Sequence, residues 1–176
     1  MLILVTGGAA SGKSEHAERL LCERAACSRL YLATMQPFGA VAQARIARHR
    51  ALRAGKGFDT VERPLGLAGL TLPHQYDGIL LEDLGNLLAN ELFAPEGAKD
   101  AAFGSILAGI AHLQDCCETL VIVSNEIFAD GLPYAPETVG YAAQLGRLHT
   151  VLAGRADAVY ESVCGILLPV KGEHTV

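Results

Sequence analysis

The sequence predicts an α/β fold: one domain over residues 1–176, with a mostly parallel central sheet and helices on both faces. Two observations carry this expectation. Short apolar, β-rich runs alternate with longer helical patterns along the chain, the signature of parallel strands joined by covering helices. The first run, Leu2-Ile3-Leu4-Val5, leads through Gly7-Gly8-Ala9-Ala10-Ser11-Gly12-Lys13-Ser14 into a helix-compatible stretch, and these eight residues fit the phosphate-loop pattern G-x-x-x-x-G-K-[ST]. At 176 residues, 51% of them hydrophobic, the chain can build one sizeable core but not a second large domain.

Taken in order, the strand at 2–5 gives way at the loop to a helix over 13–26. A strand over 29–34 follows, then a helix over 40–54 and a strand over 58–62. The apolar run Gly78-Ile79-Leu80-Leu81 ends in two acids and reads as a strand over 78–82, followed by helices over 84–94 and 101–115. Leu120-Val121-Ile122-Val123 centres a strand over 118–124, and a helix over 135–154 leads to a strand over 157–163, with 165–170 as its hairpin partner. Each helix is long enough to cross back over the sheet. Pro37-Phe38-Gly39, Ala54–Gly57, Gly66–Pro73 and Ala94–Gly97 carry the glycine and proline signals of loops. The functional edge is expected at the carboxyl ends of the strands, where the phosphate loop sits.

Composition excludes several classes. A net charge of −5 argues against general nucleic-acid affinity, although Arg45, Arg48, Arg50, Arg53 and Lys56 form a local basic stretch. Cys22, Cys27, Cys116, Cys117 and Cys164 have neither zinc-site nor C-x-x-C spacing, so reduced thiols are expected. No leader pattern and no apolar run of about 18 residues is present, so a cytoplasmic protein without a membrane span is expected.

The phosphate loop carries the chemistry. Its glycines let backbone N–H groups turn onto a phosphate chain, Lys13 reaches the β/γ-phosphates and faces solvent otherwise, and the Ser14 hydroxyl ligates Mg²⁺. A second carboxylate is expected from the strand ending in Glu82-Asp83. Side chains alternate across a strand, so the two diverge: Glu82 closes the apolar run and serves the metal, while Asp83 caps the next helix. Asn125 and Glu126 end another strand at the same sheet edge, as site residues or as a simple turn. On the helical stretch around 45–52, Arg45, Arg48 and His49 share a face. There His49 is either a neutral nucleophile among phosphate-steadying arginines or a surface histidine. The other histidines, at 16, 74, 112, 149 and 174, carry no metal or triad spacing.

Together these stretches resemble the bifunctional adenosylcobinamide kinase/adenosylcobinamide-phosphate guanylyltransferase family of cobalamin biosynthesis. The resemblance runs through Val5-Thr6-Gly7-Gly8-Ala9, Ser11-Gly12-Lys13-Ser14, Tyr31-Leu32-Ala33-Thr34, Ala44-Arg45-Ile46 with His49-Arg50, Thr60-Val61-Glu62 with Pro64-Leu65, and Leu80-Leu81-Glu82. It continues through Asn90-Glu91-Leu92, Val123-Ser124-Asn125-Glu126, Pro133, Gly146-Arg147, Ala156-Asp157 and Lys171-Gly172. It implies a RecA-like P-loop NTPase fold and two reactions on a corrinoid: phosphorylation of adenosylcobinamide, then transfer of GMP from GTP through a guanylyl-histidine to the new phosphate. It also implies His49 as the nucleophile and Lys13 as the other catalytic group. Gly7 through Ser14, Glu62 and Glu82 become nucleotide contacts, Ser14 and Glu82 Mg²⁺ contacts, GTP or ATP the co-substrate, and a homo-oligomer of three or more copies the assembly.

The sequence departs from that family mainly in its C-terminal half. Val139-Gly140-Tyr141-Ala142-Ala143 stands where the family commonly has Arg-x-Phe-Arg-Asp, and Gly146-Arg147-Leu148-His149-Thr150 where it has Gly-Arg-x-Asn-Gln. Ala10 replaces an arginine in the phosphate loop, and Phe128 and Asp130 replace glycines. The lost charges predict unequal effects on the two activities. The alternatives are a P-loop protein retaining one activity and a nucleotide-binding partner protein without catalysis.

Overall fold

The computed structural model describes residues 1–36, 55–127 and 134–172. Seven strands form one sheet: β1 (Leu2–Gly7), β2 (Arg29–Ala33), β3 (Phe58–Glu62), β4 (Tyr76–Glu82), β5 (Cys117–Asn125), β6 (Ala158–Val163) and β7 (Ile166–Lys171). Their order across the sheet is β3-β2-β4-β5-β1-β6-β7; all pairs are parallel except β6 with β7. The described helices are α1 (Lys13–Arg24), α2 (Leu84–Phe93), α3 (Ala102–Asp115) and α4 (Pro136–Arg155). The expected α/β fold is therefore observed, including the hairpin partner at the end. The helix expected over 40–54 lies outside the described residues.

Strand alternation divides the core into two layers. Ile3, Val5, Leu80, Val121 and Val123 pack against Ala17, Leu20, Leu21 and Ala25 around α1. Their neighbours Leu2, Leu4, Ile79, Leu81, Leu120 and Ile122 pack against α2, α3 and α4 through Leu84, Leu88, Ile106, Ile110, Leu145 and Leu148. Both faces of the central strands are thus apolar, as a sheet sandwiched between helices requires. The same alternation decides which face each carboxyl-end residue serves. Among the described residues no helix is long and apolar enough to cross a membrane.

The structure departs from the sequence reading in two places, each for a physical reason. The apolar run of β1 stops at Val5, but the strand continues through Thr6 and Gly7, which pair with Ser124 and Asn125 on β5 and with Glu161 and Ser162 on β6. Ladder hydrogen bonds need no apolar side chain. The loop read over Gly66–Pro73 contains a short 3₁₀ turn, Leu67–Gly69, that buries Leu67 against α3. Gly109 makes the approach possible: a Cβ there would lie 2.5 Å from the Leu67 Cβ.

Candidate active site

β1 lies between β5 and β6, inside the sheet, and its carboxyl end feeds the phosphate loop. Gly8 through Gly12 turn back on themselves: the Ser11 N–H donates to the Gly8 carbonyl (3.3 Å), and the His16 N–H donates to the Gly12 carbonyl (3.1 Å) to start α1. Gly12, the residue before α1, has φ +92°, a left-handed conformation that costs glycine nothing. Lys13 corrects one expectation. It is only 8% exposed, not solvent-facing, and its Nζ donates to the Gly8 carbonyl at 3.0 Å. A buried ammonium needs oxygen partners, and the loop's own carbonyl supplies one.

Across the loop mouth, Ser14 Oγ donates to Glu82 Oε1 at 2.5 Å. This pairing follows from strand alternation, because Glu82 shares the α1-facing side of β4 with Leu80. Burial pushes the Glu82 carboxyl up to about 7; the Ser14 bond offsets part of that shift, and the Asp83 charge adds to it. Glu82 Oε2 is buried with no hydrogen-bond partner. A hydroxyl and a carboxylate in contact, with one carboxylate oxygen unsatisfied, form a donor set suited to a hard divalent cation. Among the described residues no cluster of three or more His, Cys, Asp or Glu could hold a metal by itself. One or two protein carboxylates are the usual complement for Mg²⁺ shared with phosphates.

Asp83 diverges from Glu82 as its position predicts. The chain passes between them through a cis peptide bond. Asp83 Oδ1 accepts the Asn86 N–H (2.6 Å) and caps α2, while Thr34 at the end of β2 donates to the Asp83 carbonyl (2.7 Å) and accepts its N–H (2.8 Å). Asn90 Nδ2 ties the Thr34 and Pro64 carbonyls together (2.8 and 3.1 Å). These bonds tie the carboxyl ends of β2 and β4 to each other and to α2.

The description "Cobinamide kinase / cobinamide phosphate guanyltransferase" belongs to the family whose sequence model matches residues 3–170. The chain belongs to this family. It is 34% identical to the bifunctional adenosylcobalamin biosynthesis protein CobU of Escherichia coli, over 97% of this chain and all of that protein. It is 33% identical to the bifunctional adenosylcobalamin biosynthesis protein CobP of Pseudomonas aeruginosa, over 97% of each. In fold it is similar to a KaiC-like protein of Pyrococcus horikoshii (TM-score 0.53, 13% identity, 99% of this chain and 80% of that one). A flagellar accessory protein FlaH from Methanocaldococcus jannaschii is similar as well (TM-score 0.51, 16% identity, 98% of this chain and 78% of that one). The fold is that of the P-loop NTPases, as the loop motif predicts.

Several positions that resemble the cobinamide kinase/guanyltransferase family prove to hold structure. Asp157 Oδ2 accepts the Leu2 N–H (2.6 Å), Lys171 Nζ donates to the Ala153 and Gly154 carbonyls near the end of α4 (2.8 and 3.0 Å), and Arg147 lies over the Phe103 ring (4.6 Å). The Glu91 carboxylate, 2% exposed, accepts the Gly66 and Ala98 N–H groups (2.8 and 2.9 Å). Glu62 is exposed at the end of edge strand β3, two strands from Glu82 in the same register, or roughly 10 Å at ordinary strand spacing. Asn125 ends β5 beside Gly7, and the Glu126 N–H donates to the Gly7 carbonyl (2.9 Å), so both stand at the loop as expected.

Two departures from the family form polar contacts that charge-counting did not foresee. His149 Nε2 lies 2.7 Å from Ser124 Oγ near the end of β5; burial lowers its pKa, and Glu126 partly offsets this. The Tyr141 hydroxyl donates to the Gly85 carbonyl (3.2 Å), and burial, with Asp83, pushes it up to about 12. His49, Arg45, Arg48, Arg50, Phe128, Asp130 and Pro133 lie outside the described residues.

Proposed function

We propose that this chain performs both reactions of its family: it phosphorylates adenosylcobinamide, and it transfers GMP from GTP, through a guanylyl-histidine, to adenosylcobinamide phosphate, giving adenosylcobinamide-GDP. The observation that carries the reading is the Ser14–Glu82 pair across the mouth of the phosphate loop. In this reading Gly7, Gly8, Ala9, Ala10, Ser11, Gly12, Lys13 and Ser14 hold the triphosphate of GTP or ATP, with Glu62 at the rim. Ser14 and Glu82 hold Mg²⁺, which when bound neutralises charge on the phosphates. Lys13 exchanges the neutral Gly8 carbonyl for anionic phosphate oxygens, and charge-assisted bonds favour that exchange.

For the transfer, a neutral imidazole nitrogen of His49 attacks the α-phosphorus of GTP. A P–N bond forms, the bond from that phosphorus to the bridging oxygen breaks, and pyrophosphate leaves. A phosphate oxygen of adenosylcobinamide phosphate then attacks the same phosphorus, forming the new P–O bond as the P–N bond breaks and His49 is regenerated. Splitting one difficult transfer into two is the advantage of covalent catalysis. The test is the intact mass of the chain after incubation with GTP and Mg²⁺. A GMP adduct is expected, labile to acid, stable to base, mapping to His49 and missing in His49→Asn; GTP turnover with no adduct under any condition would overturn the guanylyl-histidine step.

A homo-oligomer of three or more copies belongs to the same reading. It is supported by the outer edge of the sheet, where Ile166, Leu168 and Val170 alternate along β7 and stand exposed. No nucleic acid and no membrane takes part, and the five free cysteines suit a reducing cytoplasm. A second reading, in which only one activity survives, is favoured by Val139, Ala142, Ala143 and His149 standing where the family commonly has other side chains, three of them charged.

A further inference from the structure

β6 and β7 are joined by a two-residue turn, Cys164-Gly165, between the paired Val163 and Ile166; both turn residues have positive φ (+51° and +79°), as a tight type I′ hairpin requires. The tip of this hairpin lies against the outside of the phosphate loop. The Gly165 N–H donates to the Ser11 carbonyl (2.9 Å), and Ser162 Oγ, in a residue 1% exposed, donates to the same oxygen (2.8 Å). From α1, His16 Nε2 lies 3.1 Å from the Gly165 carbonyl, and Arg19 lies 3.2 Å from His16 Nδ1. A guanidinium can only donate, so Nδ1 accepts, the ring proton sits on Nε2, and His16 donates to Gly165. Gly7 leaves no side chain in the way: a Cβ there would lie 2.5 Å from the Ser162 carbonyl oxygen and 2.6 Å from Ser11 Oγ.

Peptide geometry gives these contacts a consequence. In a planar trans peptide the C=O and the following N–H point in opposite directions. Two donors that hold the Ser11 carbonyl outward, toward the hairpin, therefore turn the Gly12 N–H inward, toward the anion cradle. We propose that Ser162, together with the Gly165 N–H, is a positioning element for the phosphate loop: the β6–β7 hairpin aims the Gly12 N–H at the triphosphate without touching it. The inference rests on the reading that this loop binds GTP.

The test is calorimetric titration of GTP with Mg²⁺ into the full chain and four variants, with steady-state kinetics beside it. Ser162→Ala is expected to raise both the GTP Kd and the GTP KM about fivefold, the weight of one neutral hydrogen bond, with kcat unchanged, because the lost bond serves ground and transition states alike. Ser162→Thr and Ser162→Val have nearly the same shape and differ in the hydroxyl, so Thr should bind GTP about fivefold more tightly than Val. Lys13→Ala should lose GTP binding. If Lys13→Ala loses binding while Ser162→Ala retains it, or if Thr and Val weaken binding equally, the hairpin has no positioning role and the nucleotide reading stands. If Lys13→Ala binds GTP as the parent chain does, the nucleotide reading fails and the inference with it.

Discussion

In the proposed function, Glu82 carries the metal side of the chemistry at the scale of single residues. Its carboxyl, pushed up to about 7 mainly by burial, keeps a proton in the folded chain that the unfolded chain loses near 4.5. Its contribution to stability is therefore fully present below about pH 4.5 and is lost as pH rises through 7, by up to about 3 kcal/mol. Denaturant titrations without nucleotide should show the parent chain and Glu82→Gln equally stable near pH 4.5 and diverging toward pH 8, with the variant more stable; parallel curves would mean that the carboxyl ionises freely. At saturating Mg²⁺ the order reverses for catalysis: Glu82→Gln should lose at least about tenfold more turnover than Asp83→Asn, since Asp83 caps α2 on the other face, and a larger loss for the Asp83 variant would reverse the assignment. Strand alternation made the divergence of Glu82 toward Ser14 and of Asp83 toward the α2 cap legible in the sequence. The Lys13 contact was not legible, because a motif fixes residue types and spacing but not which carbonyl a flexible ammonium reaches.

At the scale of elements, close approaches set the geometry around the site. Gly109 brings α3 against the 3₁₀ turn at Leu67, and a methyl group there would meet the Leu67 Cβ, which has no rotamer in which to retreat. Gly109→Ala gains about 1 kcal/mol of helix propensity but overpacks a buried contact at a cost of about 1–3 kcal/mol. A net loss of about 1 kcal/mol is expected in chemical denaturation, and a more stable variant would show that the turn yields freely. The seven strands were legible in the sequence to within about two residues because their apolar runs are bounded by turn residues. Contacts made by backbone or by one hydroxyl leave no such trace. The 3₁₀ turn reads as loop, and Ser162 reads as an ordinary strand serine; the runs at 157–163 and 165–170 read as a hairpin, but nothing in them shows that its tip meets the phosphate loop. The departures on α4 were legible as lost charges, but the bonds from Tyr141 to Gly85 and between His149 and Ser124 depend on how that helix packs.

At the scale of the whole molecule, the sheet gathers the phosphate loop, Glu82, Asn125 and Glu126 at one end of its strands, while the edge strand β7 exposes Ile166, Leu168 and Val170 on one face. If the proposed oligomer of three or more copies buries that row, the chain sediments at that mass and Ile166→Lys combined with Val170→Lys lowers it; a monomer at micromolar concentration would contradict the proposed oligomer. The fold and the family were legible because the phosphate loop and the later stretches keep their order over nearly the whole chain. The balance between the two activities was not, since it depends on what replaces lost charges in space. The most direct measurement is product analysis by mass spectrometry after the chain meets adenosylcobinamide, GTP and Mg²⁺, with Lys13→Ala alongside. Adenosylcobinamide phosphate should form first and adenosylcobinamide-GDP after it, with neither in the variant; absence of both products from the parent chain would contradict the account.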